Sequence, residues 1–94
     1  MIVKSFQNVA VIRGGLLFFK SDVAIKVIAA LRIARIPILG IDGFRITEKE
    51  TQPFMEHSVE FPITIQESWA KAEEFINSKK DLGLLFEIVA DEWI

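Results

Sequence analysis

Ile36-Pro37-Ile38-Leu39-Gly40-Ile41-Asp42-Gly43-Phe44-Arg45-Ile46-Thr47 is the stretch on which the fold reading turns. It follows one helical pattern and precedes another. Two short β-prone runs meet at Asp42-Gly43, a pair that favours tight turns because Gly accepts φ > 0 without steric cost. The expectation is a buried strand over Pro37–Ile41, a turn, and a second strand over Phe44–Thr47 leading away.

Upstream, Ser21-Asp22 is a good helix start, with Ser21 as N-cap and Asp22 favourable in the first turn. Pro37 keeps Ile36 from staying helical, so the helix is predicted to end near Arg35. Its apolar residues form two stripes. One is Val23, Val27, Leu31 and Ala34; the other, roughly opposite, is Ile25, Ala29, Ile33 and Ile36. A helix that covers a sheet needs one stripe. The second stripe fits burial under another layer or against a second subunit, which would make a homodimer; a wide single core face explains it as well. Earlier still, Val9–Ile12 and Leu16–Phe19 flank Arg13-Gly14-Gly15 and read as a hairpin or as one strand with a glycine bulge. No Gly-Lys-Ser/Thr follows these glycines, so they are a turn rather than a phosphate loop. Met1–Phe6 reads as a short edge strand or an irregular start.

Downstream, Glu48–His57 is polar, contains Pro53, and reads as a loop, with a brief strand over Ser58–Phe61. Thr64-Ile65-Gln66-Glu67 is a capping box. The helix it opens carries Ile65, Trp69, Ala72 and Ile76 on one face, with Phe75 beside them. Gly83 closes the region, and Leu84–Val89 is the best strand in the chain. The order β-α-β-β-α-β, with an added N-terminal strand, predicts an α+β, ferredoxin-like fold: an antiparallel sheet with two helices on one face.

Ninety-four residues, 51% of them apolar, make one domain spanning 1–94 with a single modest core. There is no cysteine, hence no disulfide, thiolate metal site or Cys nucleophile. The start lacks the features of a signal peptide, and Lys26, Arg32, Arg35 and Pro37 interrupt the most apolar segment. The expected setting is cytoplasmic, away from membranes. His57 is the only histidine, and no second His or Cys completes a metal site. The carboxylate pairs lack a partner base, so no catalytic residue, metal or cofactor is assigned and the protein is read as a non-enzyme.

Charge is unevenly distributed. Residues 1–47 hold seven Lys/Arg against two Asp/Glu, or +5; residues 48–94 hold four against eleven, or −7. An RNA-recognition module needs aromatics on its central strands in a basic field. Glu87, Asp91 and Glu92 instead give the final strand an acidic surround, so direct nucleic-acid binding is not expected. Glu48, Glu50, Phe54, Glu56 and Glu60, with Glu87, Asp91, Glu92 and Trp93, form an acidic set spotted with aromatics. Such a surface suits a protein that blocks a cationic nuclease, carboxylates standing where phosphates would lie. An ordinary solvated acidic face accounts for the same residues.

Ile38-Leu39-Gly40-Ile41-Asp42-Gly43, continuing as Gly43-Phe44-Arg45-Ile46, resembles the central signature of immunity proteins against the tRNA-cleaving, anticodon-nuclease type of E-group colicin. A wider bacterial set of polymorphic-toxin immunity proteins shares it. The similarity extends to Ser21, Ala24 and Ile25, to Ala72–Ile76, and to Leu85–Val89, covering roughly residues 21–90. It implies a non-enzymatic inhibitor that occupies the RNA-binding cleft of a basic ribonuclease toxin. Asp42 and Arg45 are the matched polar positions. With Phe44, Glu48, Glu50, Glu56, Glu60, Asp91 and Trp93 they form the expected partner-binding set. The runner-up reading is a small self-associating structural or regulatory domain using Ile25, Ala29, Ile33 and Ile36.

Overall fold

The computed structural model describes residues 1–61 and 68–92. The capping box at Thr64–Glu67 and the aromatic Trp93 lie outside the described residues. The chain is α+β, and its described residues form three α-helices and two antiparallel sheets. A short helix α1 (Ile2–Ser5) stands where an edge strand was one expectation. A hairpin follows, β1 (Val11–Arg13) and β2 (Leu16–Phe18). The hairpin reading is the observed one: Gly14 and Gly15 both have positive φ, at 56° and 79°, and form the turn between Arg13 and Leu16.

Helix α2 (Ser21–Ile33) starts one residue earlier than Ser21 as N-cap would require, since Lys20 holds that position. It stops before Arg35, which has φ 58°. The Arg35 N–H bonds the Arg32 carbonyl and the Ile36 N–H bonds that of Leu31. This is the left-handed helix ending that usually takes glycine. Ala24, Val27, Ile28 and Leu31 are its buried residues. The opposite stripe is divided: Ile25 and Ile36 pack against the core, whereas Ala29 is exposed and Ile33 is 85% exposed.

The central stretch is one continuous strand, β3 (Ile38–Ile46), and not two runs joined by a turn. Asp42-Gly43 lies in mid-strand, and the reversal comes at Thr47–Glu50. There the Thr47 N–H donates to the Glu50 carbonyl at 2.8 Å, and the Glu50 N–H to the Thr47 hydroxyl at 3.1 Å. Gly43 serves close approach: a Cβ at this position would sit 2.6 Å from the His57 carbonyl oxygen. Of the segment read as a loop, Thr51–His57 belongs to β4 (Thr51–Glu60), a largely exposed strand whose end takes in most of the brief strand expected over Ser58–Phe61. Pro53 gave the loop reading; on an edge strand its missing donor costs nothing.

Helix α3 (Ser68–Lys79) buries Ser68, Ala72 and Ile76, and Gly83 in the left-handed region turns the chain into β5 (Leu85–Ala90). The three-stranded sheet runs β4-β3-β5, all antiparallel. Phe19, just past β2, exchanges two backbone hydrogen bonds of 2.8 Å with Phe86 and so continues the order on the far side of β5. Both β-α-β units are thus split, each with one strand between its pair. The middle places belong to β3 and β5, whereas a ferredoxin-like sheet sets its first and third strands there. The composition of β4 explains the difference: a polar strand with a proline suits an edge, not the centre.

Both helices pack on each other and on one sheet face. The core joins Ala24, Val27, Ile28 and Leu31 to Ala72 and Ile76, over Phe19, Ile38, Ile41, Phe86 and Ile88. Leu39 was expected with Ile38 and Ile41 in the core but is only half-buried. The pairing of β3 with β5 slips between Ile38 and Gly40, adding one residue to β3. The bulge lets Ile38 and Ile41 both reach the helices and turns Leu39 aside. Trp69 ties α3 to the approach to β3, its indole N–H donating to the Ile36 carbonyl at 2.7 Å.

Candidate partner-binding face

Alternation along a strand sends successive side chains to opposite faces. Ile41 pairs with Ile88, and Gly43 with Phe86, on the helix side. Asp42 pairs with Glu87, and Phe44 with Leu85, on the other side. On β4, Ser58 lies opposite Asp42 and Glu60 opposite Gly40, which adds both to that second side. The face away from the helices therefore carries Asp42, Glu87 and Glu60 together. Asp42 and Glu87 are directly opposed, an arrangement that destabilises a sheet.

The electrostatics follow from this geometry. Burial pushes the Glu87 carboxyl above its ordinary value, and the Asp42 carboxylate opposite pushes it further. Among the described residues, Asp42, Glu60 and Glu87 have no Lys or Arg within ion-pair distance; the one such contact is Glu56 Oε1 to His57 Nε2, at 3.9 Å. Among the described residues no group of three His, Asp or Glu is placed to hold a metal ion. These carboxylates keep acceptor capacity that no Lys or Arg among the described residues takes up.

One end of the face is roofed by the N-terminal hairpin. The ring of Phe18, which is buried, meets that of Phe44 edge-on with centroids 4.8 Å apart. A guanidinium N–H of Arg13 donates to the Thr47 carbonyl at 2.8 Å and holds the hairpin there. The other end stays open, with Val89 41% exposed beside the carboxylates.

The expected partner-binding residues fall in several places. Asp42 and Glu60 share the open face, and Phe44 is half-buried at its roofed end. Arg45 is on the opposite side of β3, its guanidinium carbon 5.6 Å from the centre of the Phe54 ring. Glu48 and Glu50 are exposed at the β3–β4 turn. Glu56 sits in an irregular part of β4. Asp91 follows β5, its N–H donating to the Pro37 carbonyl at 2.9 Å. Glu92 has an internal role, its carboxylate accepting from the Ile2 and Val3 N–H groups at the start of α1. Glu87 belonged to the acidic set on composition, but its pairing with Asp42 needs the register, which no local pattern reveals.

Neither models of known protein families nor curated proteins match this chain. Among the described residues no helix is long and apolar enough to cross a membrane.

Proposed function

We propose that the protein is a non-enzymatic inhibitor that binds a basic ribonuclease toxin domain in the cytoplasm and occupies its RNA-binding cleft. The observation that carries this reading is the Asp42–Glu87 pair. Two carboxylates are held opposite one another on a face that no helix covers, without a basic partner among the described residues. Like charges in register weaken a sheet by a few tenths to about 1 kcal/mol. A cation delivered by a partner would turn that repulsion into attraction and would also favour fast, steered association. Glu60 extends the negative strip, and Phe44 backed by Phe18 gives it an aromatic wall. The signature stretch that resembles the colicin immunity proteins supplies both Asp42 and Phe44.

The test is protection of tRNA from the tRNA-cleaving domain of the E-group colicin, with binding measured as salt is raised. The expected result is stoichiometric protection that weakens with ionic strength and is lost in Asp42→Asn/Glu87→Gln. Cleavage unaffected by excess protein, with no salt-sensitive complex, would sink the proposal.

A second reading, self-association through α2, draws on Ile33, which stands 85% exposed with Ala29 also in solvent. Light scattering decides it: a wild type that is monomeric at high micromolar concentration ends it.

A further inference from the structure

Strand β4 ends the sheet, so one of its backbone edges faces no strand among the described residues. The hydrogen bonds fix which groups lie on that edge. Phe19 and Phe86 exchange both of theirs, so Phe86 turns its N–H and carbonyl away from β3. Its neighbours Leu85 and Glu87 therefore face β3, opposite Phe44 and Asp42. Those two residues face β5 in return, which leaves Ile41, Gly43 and Arg45 to bond β4. The Phe61 N–H donating to the Leu39 carbonyl, and that of Thr47 to the Glu50 carbonyl, continue this odd-numbered series at 2.8 Å each. On β4 the residues opposite Ile41, Gly43 and Arg45 are Val59, Phe54 and Gln52. Thr51, Pro53, Ser58 and Glu60 thus carry the outward backbone groups.

The edge is long, and it is interrupted at its middle. Pro53 holds an outward position and has no N–H to offer there. The ladder breaks just beyond it. Gly43 pairs with Phe54 but Asp42 with Ser58, so Met55, Glu56 and His57 are left over as a three-residue bulge that carries Met55 and Glu56 into solvent. The fold holds that bulge in place. The Ser58 hydroxyl donates across its base to the Phe54 carbonyl at 3.1 Å. The His57 backbone fills the space beside Gly43 that a Cβ would need. A bare edge strand is a template for pairing with another chain, and proline and bulges are among the devices that block it.

We infer that the outer edge of β4 is a latent docking edge for β4 of a second copy, kept closed by Pro53 and the Met55–His57 bulge. The occupant follows from the chemistry of the edge. It offers backbone donors and acceptors rather than a pocket, and β4 set antiparallel to itself about a two-fold axis complements them at every outward rung except Pro53. Such a pair would join two sheets into one. The inference goes beyond the proposed function, and no nuclease enters its test.

Three variants test it: Pro53→Thr, deletion of Met55–His57, and the two combined. The deletion joins Phe54 to Ser58 opposite Gly43 and Asp42 and leaves every other pair unchanged. Gly43→Ala should destabilise the full chain and be tolerated in the deleted one, so chemical denaturation reports whether the strand is repaired. Light scattering measures dimerisation, and amide exchange at Thr51 and Glu60 identifies the surface used. In the wild type both amides should exchange rapidly at every concentration. In the combined variant a dimer should form, and both should become protected as concentration rises. Pro53→Thr restores one N–H per copy, hence two hydrogen bonds per dimer, and alone should tighten association by about 30-fold. A folded combined variant that stays monomeric at high micromolar concentration overturns the inference. So does a wild type that dimerises with Thr51 and Glu60 protected. If the deletion does not fold, Pro53→Thr decides, and association no tighter than that of the wild type overturns the inference.

Discussion

Replacing Glu87 by Gln is expected to stabilise the fold at neutral pH. Glu87 lies directly across the β3–β5 ladder from Asp42, on the face away from the helices. Opposed residues in an antiparallel pair have Cβ atoms about 5 Å apart. Two unit charges roughly 6 Å apart in a largely aqueous surround, at an effective dielectric of about 60, repel by about 1 kcal/mol. Partial exposure and salt reduce this, so the expected gain is about 0.5–1 kcal/mol. Glu87 is raised by burial and then by Asp42, so the folded chain binds its proton more readily than the unfolded chain does. The wild type is therefore relieved at and below the ordinary carboxylate range, and it loses that relief as pH rises through the raised folded value. Urea denaturation at pH 7 and at pH 4 is the assay. Glu87→Gln should be more stable than wild type at pH 7, and the difference should shrink toward zero at pH 4. A variant less stable at pH 7, or a gain independent of pH, would refute the repulsion and remove the main support for a cation-seeking face.

Three other outcomes are expected. Ile41→Ala should cost about 2–5 kcal/mol, whereas Leu39→Ala, half-buried because of the bulge, should cost about 1–2 kcal/mol; denaturation midpoints separate the two. Arg35→Gly should stabilise by about 1 kcal/mol, since Arg35 has φ 58° at the end of α2 and glycine takes that conformation without a Cβ clash. Glu92→Ala removes the acceptor for two N–H groups of α1 and should cost about 1 kcal/mol, with faster amide exchange at Ile2 and Val3 as the local readout.

Most elements could be placed from local chemistry. The glycine pair after Arg13 marked either a hairpin turn or a bulge, Pro37 limited α2, Gly83 marked the start of β5, and the apolar run 84–89 was plainly a strand. These depend on neighbours within a few residues, where φ preference and side-chain periodicity act directly. The errors share a cause. Asp42-Gly43 has turn chemistry, yet Gly43 is there because another strand's backbone crosses close to it. Pro53 argued for a loop, yet a proline is harmless on an edge, and which strand is an edge is a property of the whole sheet. Leu39 reads as core until a bulge rotates it out.

For the candidate site the division is equally physical. The sequence alone determined an acidic second half, the absence of thiol chemistry, and the placing of Asp42, Phe44 and Arg45 in one β-prone stretch. Only the tertiary structure decided which of those residues lie together. Strand register put Asp42 with Glu87 and Glu60, the period of two put Arg45 on the opposite side, and a three-residue mismatch pushed Met55 and Glu56 into solvent. Register joins residues dozens of positions apart, and it is set by the packing of Ile41, Phe86 and Ile88 under two helices. No local pattern contains that information, because the interactions that select it exist only once the chain has folded.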